Sequence, residues 1–107
     1  MLILFDHVTP DGIAFSCWPY NHESERPGWD RLSNGDLLTV AEEAGFDVLL
    51  TADKNIRYQN LEGRRIALVV LSTPRWPVGE LHVGKIVAAV TAATPGSYFE
   101  VELPEAN

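Results

Sequence analysis

Near the middle of the chain, residues 48–51, Val, Leu, Leu and Thr, form an apolar run without polar alternation, and it stops at an acid, Asp53. A strand with one wet face alternates. A run that does not alternate reads as a strand covered on both faces, as parallel strands of α/β sheets are. Two further stretches behave alike: residues 2–5, Leu, Ile, Leu and Phe, end at Asp6, and residues 65–71 carry Ile66, Ala67, Leu68, Val69, Val70 and Leu71 in succession. In open α/β sheets ligands gather in the crevice beyond the carboxyl ends of the strands, so Asp6 and Asp53 fall where chemistry usually happens. Each acid also has a structural alternative. Asp53 suits the cap of a short helix over residues 54–61, and Asp6 suits the start of a turn.

The remaining elements follow from local signals. Ser33, with Asp36 three residues on, has nearly the spacing of a capping box. It opens a helix that runs to Ala44 and stops at Gly45, with Leu37, Ala41 and Ala44 as an apolar stripe that Leu38 widens. The central strand is expected over residues 47–52. A second long helix is expected over 80–93, with Val83, Val87 and Val90 on one face and Pro95 and Gly96 ending it. Residues 98–103 alternate, Phe99, Val101 and Leu103 facing one way and Tyr98, Glu100 and Glu102 the other, which suits an edge strand able to pair edge to edge. Residues 9–12 read as a turn, with Pro10 fit to open a short helix over 11–18. Residues 13–30, with Pro19 among them and neither period present, read as a loop. Strands alternating with helices imply an α/β fold with a mostly parallel sheet and right-handed crossovers.

Length and charge narrow the function. The 107 residues make one domain, 1–107, with 46% hydrophobic residues. Eight basic residues against 15 acidic ones give a net charge of −7, a field that repels nucleic acid and argues against a sequence-independent DNA or RNA coat. It does not argue against a nuclease, because a site for a hard divalent cation needs clustered carboxylates. A single cysteine, Cys17, rules out an internal disulfide and fits a reducing compartment. With no signal-like segment and no apolar run of membrane length, a cytoplasmic protein without a membrane partner is expected. Cys17, His7, His22 and His82 show no recognised zinc spacing, Ser72 lacks a glycine elbow, and glycine-rich phosphate loops are missing from the sequence.

If the strands ending at Asp6 and Asp53 are neighbours, Asp36 from the helix start joins them and three carboxylates converge. Charges that close together either raise a pKa or hold a cation. Mg²⁺ or Mn²⁺ suits an all-oxygen site, and phosphodiester hydrolysis is the chemistry that most needs one. The alternative for Asp36 is to complement the helix dipole. Four of the eight basic residues, Lys54, Arg57, Arg64 and Arg65, lie within twelve positions after Asp53. They form either a local positive patch for a phosphate backbone or a solvated helix and turn.

A strand ending Phe5 and Asp6, then Asn34, Gly35, Asp36, Leu37 and Leu38, then Leu50, Thr51, Ala52, Asp53, Lys54 and Asn55, resembles the PIN-like proteins, specifically the small single-domain branch related to toxin nucleases. Residues 34–71 are especially similar, Asn55 to Leu61 included, and Pro95, Gly96, Ser97 and Tyr98 also fit. The resemblance covers residues 1–10 and 32–104. It implies a three-layer α/β/α sandwich and a metal-dependent ribonuclease with its acids at the carboxyl edge of the sheet. By position Asp6 is the first-strand acid, Asp36 the helix acid and Asp53 the acid after the central strand. These hold Mg²⁺ or Mn²⁺, and Lys54 or Arg57 steadies the RNA backbone. Asn55 stands where relatives often carry a second acid, and ligates through its carbonyl without adding charge. Membership of the toxin type implies a protein antitoxin and a homodimer. Asn55, together with residues 11–31, where Cys17 to His22 depart from the usual helix and short strand, leaves open a second function: a PIN-like binding or regulatory module that does not cleave.

Overall fold

Five short strands build one sheet in the order β2-β1-β3-β4-β5, and every pairing in it is parallel. The strands are β1 (Leu2–Phe5), β2 (Asn21–Ser24), β3 (Val48–Thr51), β4 (Ala67–Leu71) and β5 (Tyr98–Val101). Among the described residues two α-helices accompany them, α1 (Asn34–Glu43) between β2 and β3 and α2 (Val83–Ala92) between β4 and β5. The computed structural model describes residues 2–5, 21–24, 26–53, 56, 61–72 and 83–102. The helices expected over 11–18 and 54–61 lie outside the described residues, apart from Ile56 and Leu61. Among the described residues no helix is long and apolar enough to cross a membrane.

The unalternating runs are buried along their whole length in β3 and β4, as strands covered on both faces must be. Alternate residues join two core clusters. Ile3, Phe5, Val48, Leu50, Val69 and Leu71 pack with Ile86, Ala89 and Val90 of α2, whereas Leu4, Leu49, Leu68 and Val70 pack with Leu37, Leu38 and Ala41 of α1. The period of two along each strand therefore serves two cores, not one core and solvent.

Helix α1 starts and stops where its sequence says. Ser33 is the N-cap, its hydroxyl accepting from the Asp36 N–H at 3.3 Å. At the other end the Phe46 N–H reaches Ala41 O at 3.0 Å and the Gly45 N–H reaches Glu42 O at 3.1 Å, with Gly45 at φ 93°, the paired bonds of a Schellman end. Phe46 then enters the core, where Trp29 meets it edge-on at 6.1 Å.

Three expectations need correction. Within the loop expected over 13–30, residues Asn21–Ser24 form the edge strand β2 and Trp29–Arg31 a 3-10 turn. Asn, His, Glu and Ser offer no hydrophobic signal, and β2 is held by main-chain pairing to β1, which leaves no mark on residue type. In α2 the buried face is Ile86, Ala89 and Val90, while Val87 is only half-buried; a helix apolar on most sides does not announce which stripe will pack. On β5, Val101 is fully buried as expected, but Phe99 is 54% exposed. Ala88, Ala89 and Ala92 of α2 line a cavity of about 350 Å³ beside it, and such short side chains leave the ring uncovered.

Candidate functional site

The central placement is that of β1 beside β3. They are hydrogen-bonded neighbours and parallel, with Ile3 opposite Val48, Leu4 opposite Leu49 and Phe5 opposite Leu50. Their carboxyl ends therefore lie together. From that point the chain diverges, because β1 connects outward to β2 on one side while β3 leads to β4 and β5 on the other. This is a topological switch point of the parallel sheet, the kind of crevice where open α/β sheets place ligands.

Asp53 stands two residues beyond the last residue of β3 and is half-buried. Thr51, fully buried at the strand end, turns the chain there: its hydroxyl accepts from the Asp53 N–H at 3.0 Å, and the Asp53 carbonyl accepts from the Ile56 N–H at 3.3 Å. A threonine hydroxyl satisfying the N–H two residues on is a common turn device. Thr51 was not among the candidate residues, although a buried threonine at the end of an otherwise aliphatic run marks such a turn.

Asp36 lies in the first turn of α1, is exposed, and donates its own N–H to the Ser33 cap. Four residues separate Glu43 from Val48, so α1 must end near the amino ends of the strands and begin near their carboxyl ends. The first turn of α1, with Asp36 in it, is thereby placed toward the carboxyl ends of the strands, the end at which Asp53 follows β3. Asp6, Lys54, Asn55 and Arg57 lie outside the described residues. Among the described residues no group of three or more His, Cys, Asp or Glu side chains is close enough to hold a metal ion, and only Asp36 and Asp53 of the four expected ligands are among them. By chemistry the donor set fits a hard divalent cation, since carboxylates and an amide carbonyl supply only oxygen.

The basic patch expected after Asp53 is partly reassigned. Arg64 is laid along α1, with Nη1 3.1 Å from Thr39 Oγ1 and Nη2 3.4 Å from Gly35 O. It also lies 4.0 Å from the carboxylate of Glu42, which Arg65 approaches at 3.5 Å. Glu42 is only 17% exposed and Arg65 is 80% exposed, so the carboxylate is sheltered between helix and turn while Arg65 reaches it from solvent. Contacts between residues this far apart in sequence have no local signal, and only the folded chain reveals them.

Comparison of the chain with protein-family models, with curated proteins and with solved structures gives no match.

Proposed function

We propose that the chain is a PIN-like, Mg²⁺- or Mn²⁺-dependent ribonuclease of the toxin type, built as a three-layer α/β/α sandwich and working in the cytoplasm. The observation that carries the proposal is the pairing of β1 with β3, parallel and in register to Phe5 and Leu50. It sets the carboxyl end of the strand that precedes Asp6 in sequence against that of the strand that precedes Asp53. Asp6, Asp36 and Asp53 hold the cation, and Asn55 adds a neutral carbonyl oxygen. When bound, the cation neutralises charge growing on a phosphoryl oxygen and eases deprotonation of the attacking water. Lys54 and Arg57 hold the RNA backbone in line for displacement, so positioning and electrostatics supply most of the rate. Partners of this function are the RNA, a protein antitoxin and a second copy of the chain.

The test is thermal melting with and without Mn²⁺, followed by RNA cleavage. A ligand that binds only the folded state raises the melting temperature, so wild type is expected to shift with Mn²⁺ and Asp53→Ala to lose the shift along with cleavage. No shift in wild type, or an equal shift in the variant, removes the nuclease. Asn55, in place of a second acid, favours one other function, a PIN-like binding or regulatory module. That module binds its partner with no Mn²⁺ shift and no RNA cleavage.

A further inference from the structure

The turn of α1 that carries Asp36 is weak by composition. Asn34 and Gly35 open the helix, and both are poorer helix formers than alanine. The Ser33 cap bond to Asp36 is long, at 3.3 Å. Against this turn lies Arg64, whose side chain is only 24% exposed and whose contacts, Gly35, Thr39 and Glu42, recur as one stripe along the helix. Thr39 completes the cluster by donating its hydroxyl to the same Gly35 carbonyl at 3.1 Å. The positive end of the helix dipole opposes a cation near an N-terminal turn, so the arginine is held there by the two-pronged hydrogen bonding and by the Glu42 carboxylate. A planar fork can serve two acceptors at once; an ammonium on a flexible stem does so poorly.

We propose that Arg64 is a positioning residue for Asp36: by clamping Gly35, the residue before it, to Thr39 and Glu42, it fixes the turn from which the Asp36 carboxylate meets a divalent cation. This rests on the cation site proposed above. Arg64 touches neither the cation nor RNA in this role; its contacts keep it on the helix flank.

The test uses the full chain and Mn²⁺ alone, with free Mn²⁺ followed by electron paramagnetic resonance. Arg64→Lys keeps the charge and loses the fork. It is expected to weaken Mn²⁺ binding about tenfold, the low end of what losing a group behind a metal ligand costs. Thr39→Ala, which leaves the arginine in place and removes one of its acceptors, is expected to weaken binding in the same direction by less. Metal-free melting temperatures separate this from a purely structural role, which lowers them without changing Mn²⁺ affinity and so overturns the proposal. Asp36→Asn and Asp53→Asn test the site itself. If wild type binds no Mn²⁺, the cation site fails and Arg64 with it; if both aspartate variants weaken Mn²⁺ binding while Arg64→Lys binds like wild type, Arg64 alone is wrong.

Discussion

Replacing Gly96 by alanine isolates one close approach between two turns. Gly96 has φ +76°, and a Cβ built on it would lie 3.0 Å from the Arg64 carbonyl oxygen and 3.4 Å from that of Leu61. Both neighbours are backbone, so neither can swing aside, and the Gly96 N–H is already tied to Ile66 O at 3.2 Å. Placing an L-residue in the left-handed region costs about 1–2 kcal/mol, and the strain of an overpacked contact adds roughly 1–3 kcal/mol. Alanine also lowers the entropy of the unfolded chain, which returns about 0.4–1 kcal/mol. The net loss is then about 1–5 kcal/mol, against the roughly 5–15 kcal/mol that holds a typical domain folded. Gly63 supplies the control: its φ is +77° and nothing lies within 4 Å of its would-be Cβ. Gly63→Ala carries the same conformational and unfolded-state effects without the collision. Urea unfolding of both variants should therefore give unchanged slopes, and midpoints that differ by about 1–3 kcal/mol once converted. Equal midpoints for the two variants would mean that the turns do not touch as described.

Thr51→Val removes the acceptor of the Asp53 N–H while keeping shape, and is expected to cost about 1–3 kcal/mol and to blunt the Mn²⁺ melting shift; Thr51→Ser keeps the hydroxyl and should retain that shift. A Thr51→Val protein that melts and responds to Mn²⁺ like wild type would show that the hydroxyl does not set the Asp53 turn. On β5, Val101→Ala should cost about 2 kcal/mol because its side chain is fully buried, whereas Phe99→Ser should fall within about 0.5 kcal/mol. Comparable losses at the two positions, measured by chemical denaturation, would place Phe99 inside the core instead.

What could be read in advance depended on whether the physics is local. The runs at β3 and β4 were legible because burial on both faces removes polar alternation outright, and the Ser33 start and Gly45 end of α1 because capping is settled within a few residues. Strand β2 was not legible: an edge strand of Asn, His, Glu and Ser gains its place from main-chain bonds to β1, which any sequence can make. Short, charged edge strands also limit stray pairing, so selection at an edge works against the very signal that betrays a strand. The stripe of α2 was legible only in part: Val90 packs into the core as its place on the stripe implies, but Ile86 and Ala89 join it ahead of Val87, and only the neighbouring sheet decides among such apolar positions. The positions of Asp36 in the first turn of α1 and of Asp53 after β3 were legible from the local pattern, while the pairing of Arg64 with Gly35, Thr39 and Glu42 depends on tertiary approach and carries no spacing rule.

The amino end of the sheet is tied together by main-chain and side-chain bonds. At the amino end the Asp47 carboxylate accepts from the Leu2 N–H at 2.8 Å, the Asp47 N–H donates to Leu2 O, and the Ala67 N–H donates to Asp47 O. One residue thus joins β1, β3 and β4 before any of them leaves that edge. The 61–66 turn is pressed on one side against α1 by Arg64 and Arg65 and on the other against Gly96. Main-chain and ionic ties of this kind make the amino end a rigid base for the helices and strands that leave it. Arg64 extends that base. It leaves the turn that enters β4 and reaches the first turn of α1, so a side chain rooted in the stabilising end holds the helix start from which Asp36 projects. Changes confined to the Asp47 ties should act on folding alone, because those bonds reach no residue at the carboxyl edge.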